Sequence, residues 1–218
     1  MILLNQVTKS FGNVKAVNKV SLEVPVESSV VILGPSGSGK TTLLRLIAGL
    51  EIPDTGEIYL DGALASKARW VLPPHQRGLG FMFQTSALWP HMTVAQNIMF
   101  GLYGIPRSEA NRRLHELLEN MSLTGLDRRY PHQISGGEAR RVALARTLAP
   151  QPKRLLMDEP LTNVDPELKL KLMAFLKQTV VRTKACLIYV THDADEAKEI
   201  SEHVLTLRNG CLETRPVN

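Results

Sequence analysis

VVILGPSGSGKTTLLRLIAGL, residues 30–50, decides how the rest of the chain is read. VVIL (30–33) is a short continuous apolar run of the kind that forms a buried strand. TTLLRLIAGL (41–50) is helical and closes at a glycine-bearing turn near Gly49. Between them GPSGSGKT (34–41) has the spacing G-x-x-x-x-G-K-T of a phosphate-binding loop. Glycines are required because backbone N–H groups must wrap a phosphate, and a Cβ blocks the approach or the dihedrals. The helix opening at Lys40-Thr41 adds unpaired N–H groups and the positive end of its dipole. Lys40 is suited to neutralise β- and γ-phosphates, and the Thr41 hydroxyl to ligate Mg²⁺.

Working outward, LLMDEP (155–160) is an apolar strand ending in two carboxylates. Such a strand end is costly unless the acids meet a cation at its mouth. Asp158 is then placed to hold Mg²⁺ through water, and Glu159 to accept the proton of an attacking water. ISGGE (134–138) opens the helical stretch EARRVALARTL. Ser135 and Glu138 form a capping-box pattern, and the same helix start, with its serine hydroxyl and two glycines, is a second anion site. Two phosphate sites in one chain imply a nucleotide shared between chains.

The rest of the chain alternates strand-like and helical segments, which predicts parallel βαβ units. Residues 3–60 are mostly strand-like, 85–149 mostly helical, and the segment after Pro152 alternates again. The expected architecture is an α/β parallel-sheet core interrupted by a helical insertion.

Composition bounds the function classes. With 218 residues, 44% hydrophobic and 22% charged, the chain can bury about 70% of its unfolded surface, so wholesale disorder is excluded. No apolar run approaches a membrane span, and MILLNQVTKS lacks the pattern of a signal peptide. Cys186 and Cys211 form no C-x-x-C pair, which argues against a zinc site and fits a reducing compartment. The net charge of +5 is concentrated in residues 85–154, with 10 Lys/Arg against 5 Asp/Glu. Its pairs, such as Arg112-Arg113 and Arg140-Arg141, read either as a solvated helix face or as a site for acidic partners.

Taken together these motifs resemble the ATP-binding subunit of an ABC transporter, over essentially the whole chain. The resemblance implies a P-loop NTPase (RecA-like) parallel-sheet core with an N-terminal antiparallel β subdomain and an inserted α-helical subdomain. Residues 1–218 would form one domain, with 1–84 and 155–218 as the nucleotide-binding core and 85–154 as the helical part. GPSGSGKT matches Walker A, implying ATP contacts from Gly34, Pro35, Ser36, Gly37, Ser38, Gly39, Lys40, Thr41 and Thr42. LLMDEP matches Walker B, although Arg154 stands where an apolar strand residue is usual. Phe11 matches the adenine-stacking aromatic, normally a tyrosine, and Val17 joins it at the nucleotide. Gln84 matches the Q-loop glutamine, a Mg²⁺ sensor beside Thr41 and Asp158. ISGGE matches the signature, with Ser135, Gly136, Gly137 and Glu138 facing the nucleotide of a second chain. LTNVD (161–165) matches the D-loop ending in Asp165, and His192 in YVTHD matches the switch histidine at the γ-phosphate.

The stretch RGLGFMFQTSALWPHMTVAQNI (77–98) resembles bacterial uptake systems for sugars, polyamines, iron and anions, and on that resemblance the chain would lack the C-terminal regulatory domain that many of those subunits carry. The implied partners are a second copy of the chain, head to tail around two ATP, a membrane permease, and a solute-binding protein reached indirectly. No nucleic acid is implied. The location would be cytoplasmic, on the inner face of the membrane. Leu88, Trp89, Pro90 and Met92 put four apolar side chains in a short segment, expected to be exposed and to receive the permease. The alternative is an ABC motor of another membrane complex, of the cell-division or lipoprotein-release type.

Overall fold

Alternation at a period of two organises the centre of the molecule. In Arg154–Asp158 the side chains of Leu155 and Met157 join one apolar cluster and Leu156 the other. In Cys186–Thr191 the residues Leu187 and Tyr189 join the first, and Ile188 and Val190 the second. The sheet is therefore covered on both faces, as parallel strands require. A computed structural model describes residues 1–213 of the chain.

Eleven strands form two sheets among these residues. β1 (Ile2–Phe11), β2 (Val14–Val24), β4 (Thr55–Leu60), β5 (Ala63–Lys67) and β6 (Trp70–Val71) make an antiparallel sheet in the order β2-β1-β4-β5-β6. The second sheet has the order β11-β10-β3-β9-β8-β7. It comprises β3 (Ser29–Leu33), β7 (Gly80–Met82), β8 (Arg154–Asp158), β9 (Cys186–Thr191), β10 (Val204–Arg208) and β11 (Cys211–Glu213). Its strands are parallel except for the β10–β11 hairpin at one edge.

α1 (Lys40–Ala48) lies between the two sheets, burying Leu43, Leu44, Leu46 and Ile47 in the cluster shared by both. It ends at Gly49, whose φ of 76° is the left-handed cap that glycine adopts at little cost. On the opposite face of the parallel sheet, α2 (Val94–Met99), α3 (Arg107–Asn120) and α4 (Gly136–Leu148) pack with α5 (Pro166–Thr183) and α6 (Ala194–Ile200). The helical insertion thus has no separate core: its Leu117, Met121 and Leu148 share one cluster with Met157 and Tyr189 of the sheet. Residues 85–93, before α2, are irregular. Among the described residues no helix is long and apolar enough to cross a membrane.

Two side chains that look misplaced in sequence find their reason here. Arg154 begins a core strand, and its largely buried guanidinium reaches Asp61 and the carbonyl of Arg77. Arg77 is only 2% exposed, and among the described residues its side-chain hydrogen bonds go to no carboxylate. Its guanidinium instead donates to the carbonyls of Leu72 (2.8 Å), Ile47 (2.7 Å) and Ala65 (2.7 Å) and to Ser66 Oγ (2.6 Å). One side chain thereby ties the end of α1 to the antiparallel sheet.

Candidate active site

β3 ends at Leu33 and α1 begins at Lys40, so the glycine-rich segment 34–39 must turn the chain at the C-terminal edge of the parallel sheet. Gly39 has φ 105°, and a Cβ there would stand 1.9 Å from the Ala16 carbonyl oxygen, so no other residue fits. No side chain caps α1, which leaves its first N–H groups facing the loop. The Lys40 ammonium donates to the carbonyls of Gly34 (2.7 Å) and Pro35 (2.8 Å). Burial pushes its pKa below the ordinary lysine value, against the pull of Glu159 and Asp158.

A cleft of about 310 Å³ opens over the loop. Ser36, Gly37 and Gly39 through Thr42 line it, together with Ala16, Gln84 and Glu159. Asp158 lies beneath, 2% exposed. Burial raises its carboxyl pKa above the ordinary range, and a hydrogen bond with Thr41 offsets part of that rise. The Glu159 backbone has φ 49°, the left-handed region that non-glycine residues seldom occupy. Its N–H donates to the Val190 carbonyl (2.9 Å), and Arg140 of α4 donates to its carbonyl oxygen. Such strain persists only where surroundings over-determine it. His192 follows β9, the strand beside β8, and its Nδ1 lies 3.2 Å from Glu159 Oε2.

These oxygens suit Mg²⁺: a hydroxyl (Thr41), a carboxylate (Asp158) and an amide (Gln84) are hard donors. Among the described residues there is no cluster of three or more His, Cys, Asp or Glu that could hold a metal. A cation here must draw its remaining ligands from phosphate and water, as Mg²⁺ does at nucleotides.

Two expectations need correction. Val17 does not reach the cleft: it is 0% exposed in the shared cluster, and its neighbour Ala16 lines the cleft instead. Adjacent residues of a strand point to opposite faces, so a shift of one reverses the assignment. The apolar cluster at 88–92 is not freely exposed as a group. Pro90 is exposed, but Leu88, Trp89 and Met92 are half-buried, and Leu88 packs on the core. The reason is a polar clamp. Asn97, 0% exposed, accepts from the Trp89 N–H and donates to the carbonyls of Trp89, Met92 and Thr93. Arg146 of α4 donates to the carbonyls of Ser86 and Ala87, and its guanidinium lies 4.6 Å from the Trp89 ring centroid.

Of the remaining candidates, Phe11 is 49% exposed at the end of β1 and does not line the cleft. Ser38 is buried, with its Oγ unpaired. Ser135 caps α4 in a full capping box with Glu138, whose carboxyl pKa is lowered chiefly by the Ser135 backbone hydrogen bond. The Ser135 oxygen accepts there, so its own proton stays free to be donated. No residue of 134–138 lines the cleft over the loop. Asp165 caps α5, accepting from the N–H groups of Glu167 and Leu168. Sequence reading missed Arg140, Asn97 and Arg146, whose partners lie elsewhere in the fold. It also missed the exposed Phe100 and Tyr103, which line a groove of about 510 Å³ with Met99, Leu102 and Ile105.

The family model described as "ABC transporter" matches residues 17–162. The sulfate/thiosulfate import ATP-binding protein of Thermosynechococcus vestitus is 48% identical over 97% of this chain and 62% of its own length. The Fe(3+) ions import ATP-binding protein of Pseudomonas fluorescens is 44% identical over 96% of this chain and 59% of its own. The chain thus spans about three fifths of the length of these curated relatives. Among solved structures, the dimeric ATP-binding cassette MJ0796, bound to ADP and Pi after hydrolysis, superposes with a TM-score of 0.87. It is 31% identical, with 98% of this chain and 97% of that one covered. By its match along most of the sequence and by its fold, the chain belongs to the ABC transporter family.

Proposed function

We propose that the chain binds and hydrolyses ATP to power solute uptake through a separate membrane permease. In this reading residues 1–218 act as one domain, with 85–154 as its helical part, and two copies associate head to tail around two ATP. The observation that carries the reading is the separation of two anion-binding elements. The loop 34–41 has its own cleft with Gln84 and Glu159, and Ser135, Gly136 and Gly137 lie outside it. In this reading one nucleotide contacts both because a second chain supplies the other.

Lys40 and the α1 N-terminus would then hold the phosphates, and Phe11 would stack on the adenine. Thr41, Asp158 and Gln84 would hold Mg²⁺, which when bound offsets phosphate charge. Glu159 would orient the attacking water and accept its proton, and His192 would face the γ-phosphate. Asp165 and Glu138 would border the neighbouring chain's site. The permease would attach at the edge that carries Trp89, Pro90 and Met92, continued by the groove at Phe100 and Tyr103. The relatives' printed solutes include an oxyanion and a metal cation, so the solute would be chosen by the permease and a binding protein.

ATP turnover per chain, measured across a dilution series with sedimentation in parallel, tests the shared site. Specific activity should rise with concentration as dimers form. Constant specific activity from a chain shown to be monomeric would overturn the reading.

A further inference from the structure

The segment that carries His192 is shaped by a buried charge remote from the cleft lining. Glu196 stands in the first turn of α6, yet it is only 3% exposed. Its Oε2 accepts from Tyr189 OH (2.8 Å) and from Thr191 Oγ1 (2.9 Å). Its Oε1 lies 2.7 Å from Nζ of Lys169 on α5. Lys169 also reaches Asp193 Oδ2 at 3.1 Å, and the Asp193 N–H donates to Thr191 Oγ1 at 3.0 Å. The other Asp193 oxygen accepts from the N–H groups of Asp195 and Glu196.

Both neighbours of His192 are therefore tied into one network, while the imidazole itself is 55% exposed and touches Glu159. Tyr189 is fully buried, and desolvation, reinforced by Glu196, raises its pKa well above the ordinary value. It stays protonated and serves as a donor. An ion pair with one buried partner adds little net stability over apolar residues of the same shape, because desolvation of that partner offsets the Coulomb attraction. Its distinct effect here is on geometry: it fixes the spacing of α5 and α6 at the point where β9 hands over to His192.

We propose that Lys169 and Glu196 are positioning residues for ATP hydrolysis, a brace that holds Thr191–Asp193 so that His192 faces Glu159. The inference rests on the role given to His192 under the proposed function. Lys169 and Glu196 touch no nucleotide in that reading, so their effect falls on turnover and leaves nucleotide binding in place. In Glu196→Gln the amide oxygen can still accept from the two hydroxyls, but its NH₂ then meets the Lys169 ammonium, donor to donor.

The full chain is tested as Lys169→Met, Glu196→Gln, the double variant and His192→Ala. The measurements are kcat, KM, ADP affinity, melting temperature and the NMR signal of the His192 ring, identified by its absence in His192→Ala. Both single variants should lower kcat at least tenfold, keep KM and ADP affinity within twofold, and move the His192 signal. The double variant should cost no more than the worse single one, since the pair acts as a unit. Folded single variants with kcat within twofold of the parent and an unmoved His192 signal would overturn the proposal. A fall in kcat matched by lost ADP affinity and a lower melting temperature would overturn it too, in favour of a plain folding role. Should His192→Ala turn over normally, the role of His192 has failed, and the ring signal alone still decides whether the brace positions it. Lys169 is 22% exposed, so Lys169→Met carries the test if Glu196→Gln does not fold.

Discussion

Nδ1 of His192 and Oε2 of Glu159 stand 3.2 Å apart, across the ends of two neighbouring parallel strands. With the proton on Nδ1 the imidazole donates to the carboxylate and leaves Nε2 as an acceptor. The contact joins the proposed base to the proposed phosphate sensor without an intervening residue.

Glu159→Gln keeps this contact sterically possible but removes the base. Turnover should fall by about 10²–10⁴-fold, the usual worth of a general base, while ATP binding persists. The ATP-bound dimer should accumulate, since hydrolysis no longer drains it. Steady-state kinetics and gel filtration with ATP check both statements, and normal turnover would remove Glu159 from its role.

Trp89→Ala tests the permease edge. The indole lies 4.2 Å from the Phe100 ring and under Arg146, and does not line the cleft over the loop 34–41. The variant should remain folded, with its nucleotide affinity intact. Assembly with the permease should weaken by ~2 kcal/mol, a typical aromatic hot-spot loss. Circular dichroism and a pull-down with the permease on one preparation separate a folding defect from a docking defect.

Arg77→Met should destabilise the chain by about 1–3 kcal/mol, because the buried Ile47 carbonyl loses its donor while Ala65 keeps only the Leu72 N–H. Guanidinium denaturation measures the loss. A change below about 0.5 kcal/mol, the range of an ordinary surface substitution, would show that the carbonyls find other donors.

Asp61 predicts an acid-sensitive contribution. The Met1 amino group at 2.6 Å chiefly holds its carboxyl below the ordinary 3.8; burial opposes it, and Arg154 adds a lesser downward pull. A lowered folded-state pKa means stability that is present above the unfolded value and lost as pH falls through the folded one. The side chain is 54% exposed, so solvent screening limits the gain to below about 1 kcal/mol. Asp61→Asn should melt lower than the parent at pH 7, and the gap should close below about pH 4. A gap that is constant down to pH 2 would rule out the ionised contact as its source.

The loop 34–41, the strand ending in Asp158 and Glu159, the capping box at Ser135 and the strand–helix alternation after Pro152 were all legible in the sequence. Each depends on a local rule: a backbone dihedral that needs glycine, a period of two or 3.6, or a side chain bonding its own next turn. Such rules act within a few residues, so the chain states them directly.

What tertiary structure alone decided depends on partners far away in the chain. Ala16 rather than Val17 faces the cleft because pairing with β1 sets the register of β2. Trp89 and Met92 are half-buried because Asn97 and Arg146 hold the carbonyls of their loop. Arg77 and Glu196 are charged yet buried, since carbonyls 5 to 31 residues from Arg77 and an ammonium on a different helix from Glu196 replace the water they lose. A charged residue carries no local mark of burial: its cost is set by the donors and acceptors that the finished fold brings to it.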